Sequence, residues 1–428
     1  MIKRLYEKNK YLPLFIAYSL VVLLIVVGVL IIFPIMEGGL KPAFAFISKY
    51  LMSDFGQVMY FTLSENPYVN NFPTMYLPLN FIFMYPFALI CKTDPSFMKL
   101  DNISIIDGTY SYEELLAYNA EILSGWQFWV ASISFFAICL AIIGLLVYRL
   151  RKWQSKTNFI LWYGAVCFSA FFAFGLFRGT NVFIALIFIL LFILLYKSEK
   201  FWQREIAYVC LAIAGVLKIY PLLFGVLLLK EKKFLESLRV ALYSVIFAVL
   251  PFAIYGNVIE NLSEFISNLF TFTHGENRMG DAMNISVFSF VCWLFGLFKL
   301  SGTFVSVMGY LITVILFGCC ILVAIKSKSK FVATSVIAVG MLSLAPVSYY
   351  YVSMFMVIPL AFLLDEWKLL EKSDKKWYAI FYGIMSLVPL SATMWYIPQC
   401  VFMIILLVWE TYKIFAKEDK KSDGETVV

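Results

Sequence analysis

The chain has 428 residues, of which 62% are hydrophobic and only 14% are charged, whereas an average soluble protein has about 25% charged residues. This composition excludes a soluble enzyme with one anchor and predicts a helical protein that crosses the membrane many times, because apolar stretches of about 17–25 residues recur along the chain. The net charge of +7 does not predict nucleic-acid binding, since excess lysine and arginine in a membrane protein marks cytoplasmic loops.

The first predicted element is a span over residues 11–33. Its apolar stretch is too long for a signal peptide and no small-residue cleavage site follows it, so we expect it to be retained. Basic residues before it, and after the next long apolar stretch at 126–148, place both flanks in the cytoplasm. The acid-rich segment between them, residues 36–125, is therefore a long first external loop. Its apolar stretch 76–90 is short and is expected to lie in the interface or re-enter.

The remaining elements follow the same charge rule. We expect a hairpin at residues 159–177 and 181–197, a re-entrant segment at 206–229 and a span at 240–256. A second external loop at 256–284 and an interfacial segment at 285–299 follow. The last elements are a span at 303–325 and two hairpins at 331–364 and 377–415. We expect an all-α polytopic domain of about twelve crossings, residues 1–416, or about fourteen if the re-entrant segments cross. Both termini are then cytoplasmic, and residues 417–428 form a polar tail.

Metal chemistry is not expected from the residues available. The chain has eight cysteines, mostly inside apolar stretches, and one histidine, His274. No Cys-x-x-Cys pair occurs, so three or four converging soft ligands for zinc or iron–sulfur are not available. The chain also has no Asp-x-Asp pair, the usual metal–diphosphate clamp of nucleotide-sugar transferases. We therefore expect no metal and no cofactor.

A lysine within an apolar run marks the first candidate site. Lys218 lies inside the stretch 207–229 and is followed by Ile219-Tyr220-Pro221. An ammonium at bilayer depth costs about 2.5–3.5 kcal/mol on insertion scales, and a proline-broken helix is tolerated there mainly where its backbone lines protein or water. Lys218 could bind a phosphate as a point charge. The alternative is a lysine that snorkels to the surface.

Other charged residues fall on the same predicted outer face. Asp54, in Ser53-Asp54-Phe55, could accept a proton from a hydroxyl nucleophile, or it could be a solvated loop acid. Arg178 and Arg278 could contribute to phosphate binding, or each could anchor its segment at the membrane interface. Polar and prolyl breaks that collect at one membrane face predict a site that opens to that side.

A series of short motifs occurs in order over roughly residues 50–365. They are Ser53-Asp54-Phe55, Asn66-Pro67-Tyr68, Tyr76-Leu77-Pro78-Leu79 with Pro86-Phe87, Gly179-Thr180-Asn181, Lys218-Ile219-Tyr220-Pro221-Leu222-Leu223, Asn284-Ile285-Ser286 and Ala345-Pro346-Val347-Ser348-Tyr349. Together they resemble GT-C glycosyltransferases, and more closely the polyprenol-phosphate-mannose-dependent mannosyltransferases, glycosyltransferase family 87. The chain departs from the family pattern at Leu77, where the family has proline, and at Tyr350 and Tyr351, where it has histidine. The donor sugar is therefore left open.

The resemblance implies a GT-C-type bundle whose long first external loop carries juxtamembrane helices. It implies a cell-membrane enzyme that moves mannose or another hexose from a polyprenyl-phosphate donor to an extracytoplasmic glycolipid or cell-envelope glycan, with inversion and without a metal. Asp54 would be the catalytic base, and Lys218, Arg178 and Arg278 would bind the donor phosphate. The implied substrate-pocket residues are Tyr76, Asn181, Tyr220, Asn284, Ser348 and Tyr350. The implied partners are the donor, the acceptor and the lipid bilayer, with no nucleic acid.

Other functions remain open on the sequence alone. They are a transporter or flippase for lipid-linked saccharides, a polysaccharide polymerase or ligase with the same fold, and a non-catalytic membrane scaffold. Many transporters are built from repeated halves with paired broken helices, and the break at Lys218 has no matching partner in the other half of the chain. A scaffold would not need Asp54.

Overall fold

A computed structural model describes residues 51–70, 73–94, 121–153, 155–274, 284–345, 347–386 and 396–422. Within these ranges the chain forms α-helices and short 3-10 helices, and the only β-type pairing there is one isolated bridge between Asn284 and Tyr349. The predicted all-α architecture is thus confirmed for the described residues. The predicted first span at 11–33 and Arg278 lie outside them.

The helices are numbered here in chain order. They are α1 (Ser53–Leu63), α2 (Leu79–Cys91), α3 (Trp126–Leu150), α4 (Lys156–Cys167), α5 (Ala170–Arg178), α6 (Val182–Leu195), α7 (Phe201–Leu217), α8 (Val226–Lys230), α9 (Phe234–Val249), α10 (Val258–His274), α11 (Val287–Gly296), α12 (Gly302–Lys326), α13 (Lys330–Ser343), α14 (Val357–Glu366), α15 (Lys372–Met385) and α16 (Tyr396–Ser422). Short 3-10 helices lie at Tyr220–Gly225, Leu250–Tyr255 and Tyr350–Met356.

Several of these helices can cross a bilayer. Within the described residues, four segments are long and apolar enough, namely α3, α9 with its 3-10 continuation (Phe234–Tyr255), α12, and Ile397–Ala416 of α16. The bent pair α4 and α5 gives a fifth if it counts as one span. The protein is therefore a membrane protein whose described residues form an all-α structure. The count of about twelve crossings stays a prediction, because α2, α6, α11 and α13 are shorter than the roughly 20 residues that a straight span needs.

The predicted span at 159–177 is two helices in the structure. The axes of α4 and α5 differ by 54°. At the break, Ser169 Oγ donates to Val166 O over 2.6 Å, and the Ser169 carbonyl accepts from the Phe172 and Ala173 amides that begin α5. Since no proline or glycine occurs at this break, the apolar pattern alone predicts a continuous helix here.

The chain divides into two compact units. The first comprises Met1–Ile219 and Arg239–Gly275, and the second comprises Tyr220–Leu238 and Glu276–Val428. In the first unit, α6 packs against α7 and α3, and α1 packs against α2. In the second, α12 packs against α11, α13 and α16. The boundary of a single transmembrane domain at residues 1–416 stays a prediction.

Helix α6 forms the core of the first unit. All fourteen of its residues are apolar, and a helix that is hydrophobic all round is buried against other helices. The Phe183 ring makes edge contacts with the rings of Phe136 on α3 and Phe172 on α5, with centroids 5.4 and 5.7 Å apart. This aromatic core fixes the start of α6, and with it the turn Gly179–Asn181 that precedes the helix.

Two glycines in the second unit, Gly318 on α12 and Gly340 on α13, allow a test of how tightly these helices are packed. A Cβ on Gly340 would lie 2.7 Å from Cys320 Sγ, whereas one on Gly318 meets nothing within 4 Å. We expect Gly340→Ala to lower the free energy of unfolding by about 1–3 kcal/mol, because an added methyl overpacks a filled interface. Gly318→Ala should leave stability unchanged or raise it by up to about 1 kcal/mol through helix propensity. Unfolding in detergent micelles, followed by circular dichroism, measures both, and equal losses would contradict the packing described.

Candidate functional site

Asp54 lies in the first turn of α1 and is buried, with 6% of its surface exposed. The next residue, Phe55, anchors the helix start to α3, because its ring contacts the rings of Phe128, Phe135 and Phe136 at 5.5–5.9 Å between centroids. A carboxylate that is removed from water needs a partner. The alternative of a solvated loop acid therefore does not fit the structure.

The partner of Asp54 is Arg178, the last residue of α5. Arg178 Nη2 donates to Asp54 Oδ1 over 2.5 Å, and the two side chains are 16% and 9% exposed. Burial of either charge without its partner would cost roughly several kcal/mol of free energy, and the pairing offsets that cost. The sequence predicts Arg178 as a phosphate ligand or an interfacial anchor, whereas the structure places its guanidinium on the candidate base.

A close backbone approach brings these two residues together. Gly179 ends α5 with φ 71°, and a Cβ at this position would lie 2.8 Å from Phe55 Cβ and 3.0 Å from Met52 Cα. Met52, just before α1, donates its amide to the Phe177 carbonyl over 2.7 Å. Only glycine combines a positive φ with so close a contact. The junction of α1 and α5 therefore depends on Gly179.

Lys218 supplies a second cation in the first unit. It directly follows α7, and its amide donates to Ala214 O over 3.1 Å. The half-buried side chain places Nζ 4.3 Å from the centroid of the Tyr76 ring, a cation–π contact. The ammonium is also close enough to the Asp54 carboxylate for the two charges to attract each other. One carboxylate, one guanidinium and one ammonium thus lie in the same region of the unit.

The backbone on both sides of Tyr76 is held in place. The Tyr76 amide donates to Thr74 Oγ1 over 3.1 Å, and the Tyr76 carbonyl accepts from the Tyr68 hydroxyl over 3.0 Å. Burial raises the pKa of the Tyr68 phenol well above its usual range, so this hydroxyl stays protonated and remains a donor. The ring that faces Lys218 is therefore positioned by contacts with Tyr68 and Thr74.

Asn181 belongs to the same unit and lies at the start of α6. Its Nδ2 donates to Asn80 Oδ1 over 2.7 Å, and Asn80 Nδ2 in turn donates to Leu77 O over 3.2 Å. Both asparagines are buried. Sequence reasoning missed Asn80, although an amide inside an apolar stretch is a recognisable signal for a polar contact at depth.

Two further predicted residues meet in the second unit. Asn284 Oδ1 accepts from the amides of Ser286 and Ser348 over 3.1 and 3.0 Å, and the Ile285 amide donates to Ser348 O over 2.9 Å. The Ser348 hydroxyl is buried and finds no hydrogen-bond partner within the described residues. The structure thus brings Asn284 and Ser348, which belong to two separate predicted motifs, together.

Tyr220 and Tyr350 also belong to the second unit. The Tyr220 ring meets Phe355 edge-on, 6.1 Å between centroids, and the fully buried Tyr350 donates its hydroxyl to Met385 O. Arg278 lies outside the described residues, so its predicted role is untested. Across the described ranges no cluster of three His, Cys, Asp or Glu side chains has the spacing to hold a metal ion.

The ion pair predicts a specific stability difference. We expect Arg178→Leu to cost more than Arg239→Leu, because Arg239 pairs with Glu205 in the same unit but is 38% exposed. Removing one partner of a buried pair costs about 3–5 kcal/mol, whereas a surface pair contributes about 0–1 kcal/mol. The double variant D54N/R178L should regain part of the loss, since no uncompensated charge remains. Thermal unfolding in detergent measures all three, and equal losses for the two arginines would contradict a buried pair.

The comparisons with known proteins bear on these residues. Residues 115–359, more than half of the chain, match the family model of glycosyltransferase family 87. The matched range includes Arg178, Lys218 and Asn284, and it begins after Asp54 and Tyr76. No curated protein matches the chain significantly. The family match confirms the resemblance carried by the motifs, and the chain belongs to glycosyltransferase family 87.

Proposed function

We propose that this glycosyltransferase moves mannose or another hexose from a polyprenyl-phosphate donor to a hydroxyl of an extracytoplasmic glycolipid or cell-envelope glycan. The observation that supports the proposal is the convergence of Asp54, Arg178, Lys218 and Tyr76 within one unit of a membrane protein. A carboxylate and an ammonium that attract each other offer a base for the acceptor and a cation for a lipid-linked phosphate.

Asp54 is the base in this proposal. Arg178 holds Oδ1, which orients the carboxylate so that Oδ2 accepts the proton of the acceptor hydroxyl. The hydroxyl oxygen attacks the anomeric carbon and forms the new glycosidic bond. The bond from that carbon to the phosphate oxygen breaks, and the polyprenyl phosphate leaves with the electron pair. A single displacement of this kind inverts the anomeric configuration.

Lys218 stabilises the leaving group. Its ammonium is a compact point charge suited to a phosphate, and it offsets the negative charge that develops as the phosphate departs. The Tyr76 ring keeps the ammonium in place before the donor binds. With Arg178 on Asp54, the other predicted phosphate ligand is Arg278. A monophosphate donor has no diphosphate for a metal to chelate, so the proposed reaction uses no metal and no cofactor.

Each unit also holds predicted residues whose side chains suit hydrogen bonds or ring contacts with a sugar. They are Asn181 in the first unit, and Tyr220, Asn284, Ser348 and Tyr350 in the second. Buried amides and hydroxyls are the groups that hydrogen-bond sugar hydroxyls, and the Ser348 hydroxyl has no protein partner among the described residues. The predicted topology opens the site to the extracytoplasmic side.

Sugar transfer and the Asp54 role are tested in one assay. Membranes that contain the protein should transfer radiolabel from polyprenyl-phosphate hexoses to a lipid or glycan acceptor, with EDTA present. Asp54→Asn keeps the side-chain volume and removes the charge, so we expect the rate to fall by about 10²–10⁴-fold. Asp374→Asn is the matched control, because Asp374 also pairs with a cation, Lys413, and it should keep the wild-type rate.

Several outcomes would contradict this proposal. They are transfer from nucleotide sugars alone, movement of a lipid-linked sugar across the bilayer without a new glycosidic bond, and an Asp54→Asn rate within a few-fold of wild type. The abundance of each variant in the membrane is measured alongside, so that a folding defect is not read as a loss of chemistry.

Lys218→Met keeps the aliphatic stem and removes the ammonium. We expect it to raise the KM for the polyprenyl-phosphate donor and to lower kcat, because the same charge binds the phosphate and stabilises its departure. Lys218→Arg should recover part of the activity, since a planar guanidinium does not reproduce a compact ammonium. The matched control is Lys197→Met, because Lys197 also lies over a tyrosine ring, that of Tyr196, but is exposed.

Donor titrations of the variants measure both kinetic constants. Lys197→Met should behave as wild type in both. Unchanged donor saturation in Lys218→Met would remove the phosphate role from this lysine and leave Arg278 as the cation to test.

A further inference from the structure

Helix α10 docks through one face onto the first external loop. Asn66 Nδ2 donates to Asn261 Oδ1 over 2.8 Å, and Asn268 Nδ2 donates to the Tyr68 carbonyl over 3.1 Å. The Phe265 ring meets the Tyr68 ring edge-on, with centroids 6.4 Å apart. Asn261, Phe265 and Asn268 follow a helical spacing of three and four residues, so they share one side of α10.

The neighbouring face of α10 is apolar and exposed. The exposed residues are Ile259 (81%), Ile266 (44%), Leu269 (39%) and Phe270 (60%). Ile259, Ile266 and Phe270 are seven and four residues apart, which places them on one stripe of the helix. The third face is polar and carries Glu260, Glu264, Ser267 and Thr271. The helix therefore has separate docked, apolar and polar faces.

The position of α10 in the chain indicates what covers the apolar face. The preceding segment, Phe234–Tyr255, is a candidate membrane span, and only 11% of its apolar window is buried within the protein. Gly256, with φ 94°, then turns the chain, and Asn257 caps α10 by accepting from the Ile259 and Glu260 amides over 3.1 and 3.3 Å. The helix thus starts at the end of a candidate span whose side chains are mostly exposed on the protein surface.

We propose that the apolar face of α10 lies in the bilayer interface, where phospholipid covers Ile259, Ile266 and Phe270 and the polar face points to water. An amphipathic helix with a charged face and an apolar face takes this orientation at a membrane surface. Its 17 residues and its two polar-face glutamates do not suit a crossing. The proposal does not depend on the sugar-transfer reaction.

One consequence concerns the candidate site. Helix α10 holds Asn66, Tyr68 and Thr74 through Asn261 and Asn268. The Tyr68 hydroxyl in turn donates to the Tyr76 carbonyl. A helix seated in the lipid interface therefore fixes the depth at which the Tyr76 ring is presented. The Tyr76 ring, which faces Lys218, is then held at a fixed distance from the membrane surface.

Site-specific photo-crosslinking to lipid tests this proposal. A benzophenone amino acid is introduced at Ile266 or Phe270, and for comparison at their chain neighbours Ser267 and Thr271, in the full-length protein in phospholipid nanodiscs. Val314, 66% exposed in the candidate span α12, provides a lipid-facing benchmark. We expect phospholipid adducts at Ile266 and Phe270 at a yield close to that at Val314, and a several-fold lower yield at Ser267 and Thr271.

Each of the other outcomes overturns the proposal. Adducts at Val314 but at none of the α10 positions would show that the apolar face does not meet lipid. Equal yields on both faces would show that α10 is immersed rather than interfacial, and adducts to a protein would show a protein partner instead. All substituted positions are exposed, and size-exclusion profiles that match wild type show that each labelled protein is folded.

Discussion

The buried contact between Asp54 and Arg178 is the interaction on which the candidate site depends. The two residues are 124 positions apart in the chain, and each would be an uncompensated charge without the other. Their pairing requires that the start of α1 and the end of α5 lie in direct backbone contact, as the hydrogen bond from the Met52 amide to the Phe177 carbonyl shows. Gly179 permits that approach, and Phe55 and the α6 core hold the two helices on either side of it.

The segment that carries Tyr76 is held by a second set of contacts, centred on Tyr68. The Tyr68 ring packs against Phe252 and Tyr255 at the end of the α9 segment, with centroids 5.0 and 5.7 Å apart, while its hydroxyl binds Tyr76 O. The segment that carries Tyr68 is therefore held by a candidate membrane span as well as by α1 and α2. The ring beside Lys218 owes its position to residues nearly 200 places later in the chain.

The sequence singled out Asp54 and Lys218 as candidate site residues, but it did not predict the ion pair between Asp54 and Arg178. Lys218 was identified because it is a lone lysine in an apolar run and because a proline follows three residues later. The proline predicts a break in the helix, and α7 does end at Leu217. Asp54 was found through its motif. The contact with Arg178 could not be predicted, because the partner of a buried charge is fixed by tertiary packing and both arginines looked equally suited to phosphate. The 54° break between α4 and α5 was missed for a local reason, since the residue at the break is Ser169, which hydrogen-bonds back to Val166 of α4, and neither proline nor glycine occurs there.

The burial of Asn261 and Asn284 has a consequence for the glycosylation of the protein. Asn261-Leu262-Ser263 and Asn284-Ile285-Ser286 are both acceptor sequences for N-linked glycans, yet Asn261 is 2% exposed and Asn284 is fully buried. The Asn261 amide also donates to Tyr255 O, so a glycan on its nitrogen would prevent α10 from docking on the loop. A eukaryotic host that glycosylated either asparagine during synthesis would trap the chain before these contacts form. The folded structure therefore requires that both asparagines stay unmodified.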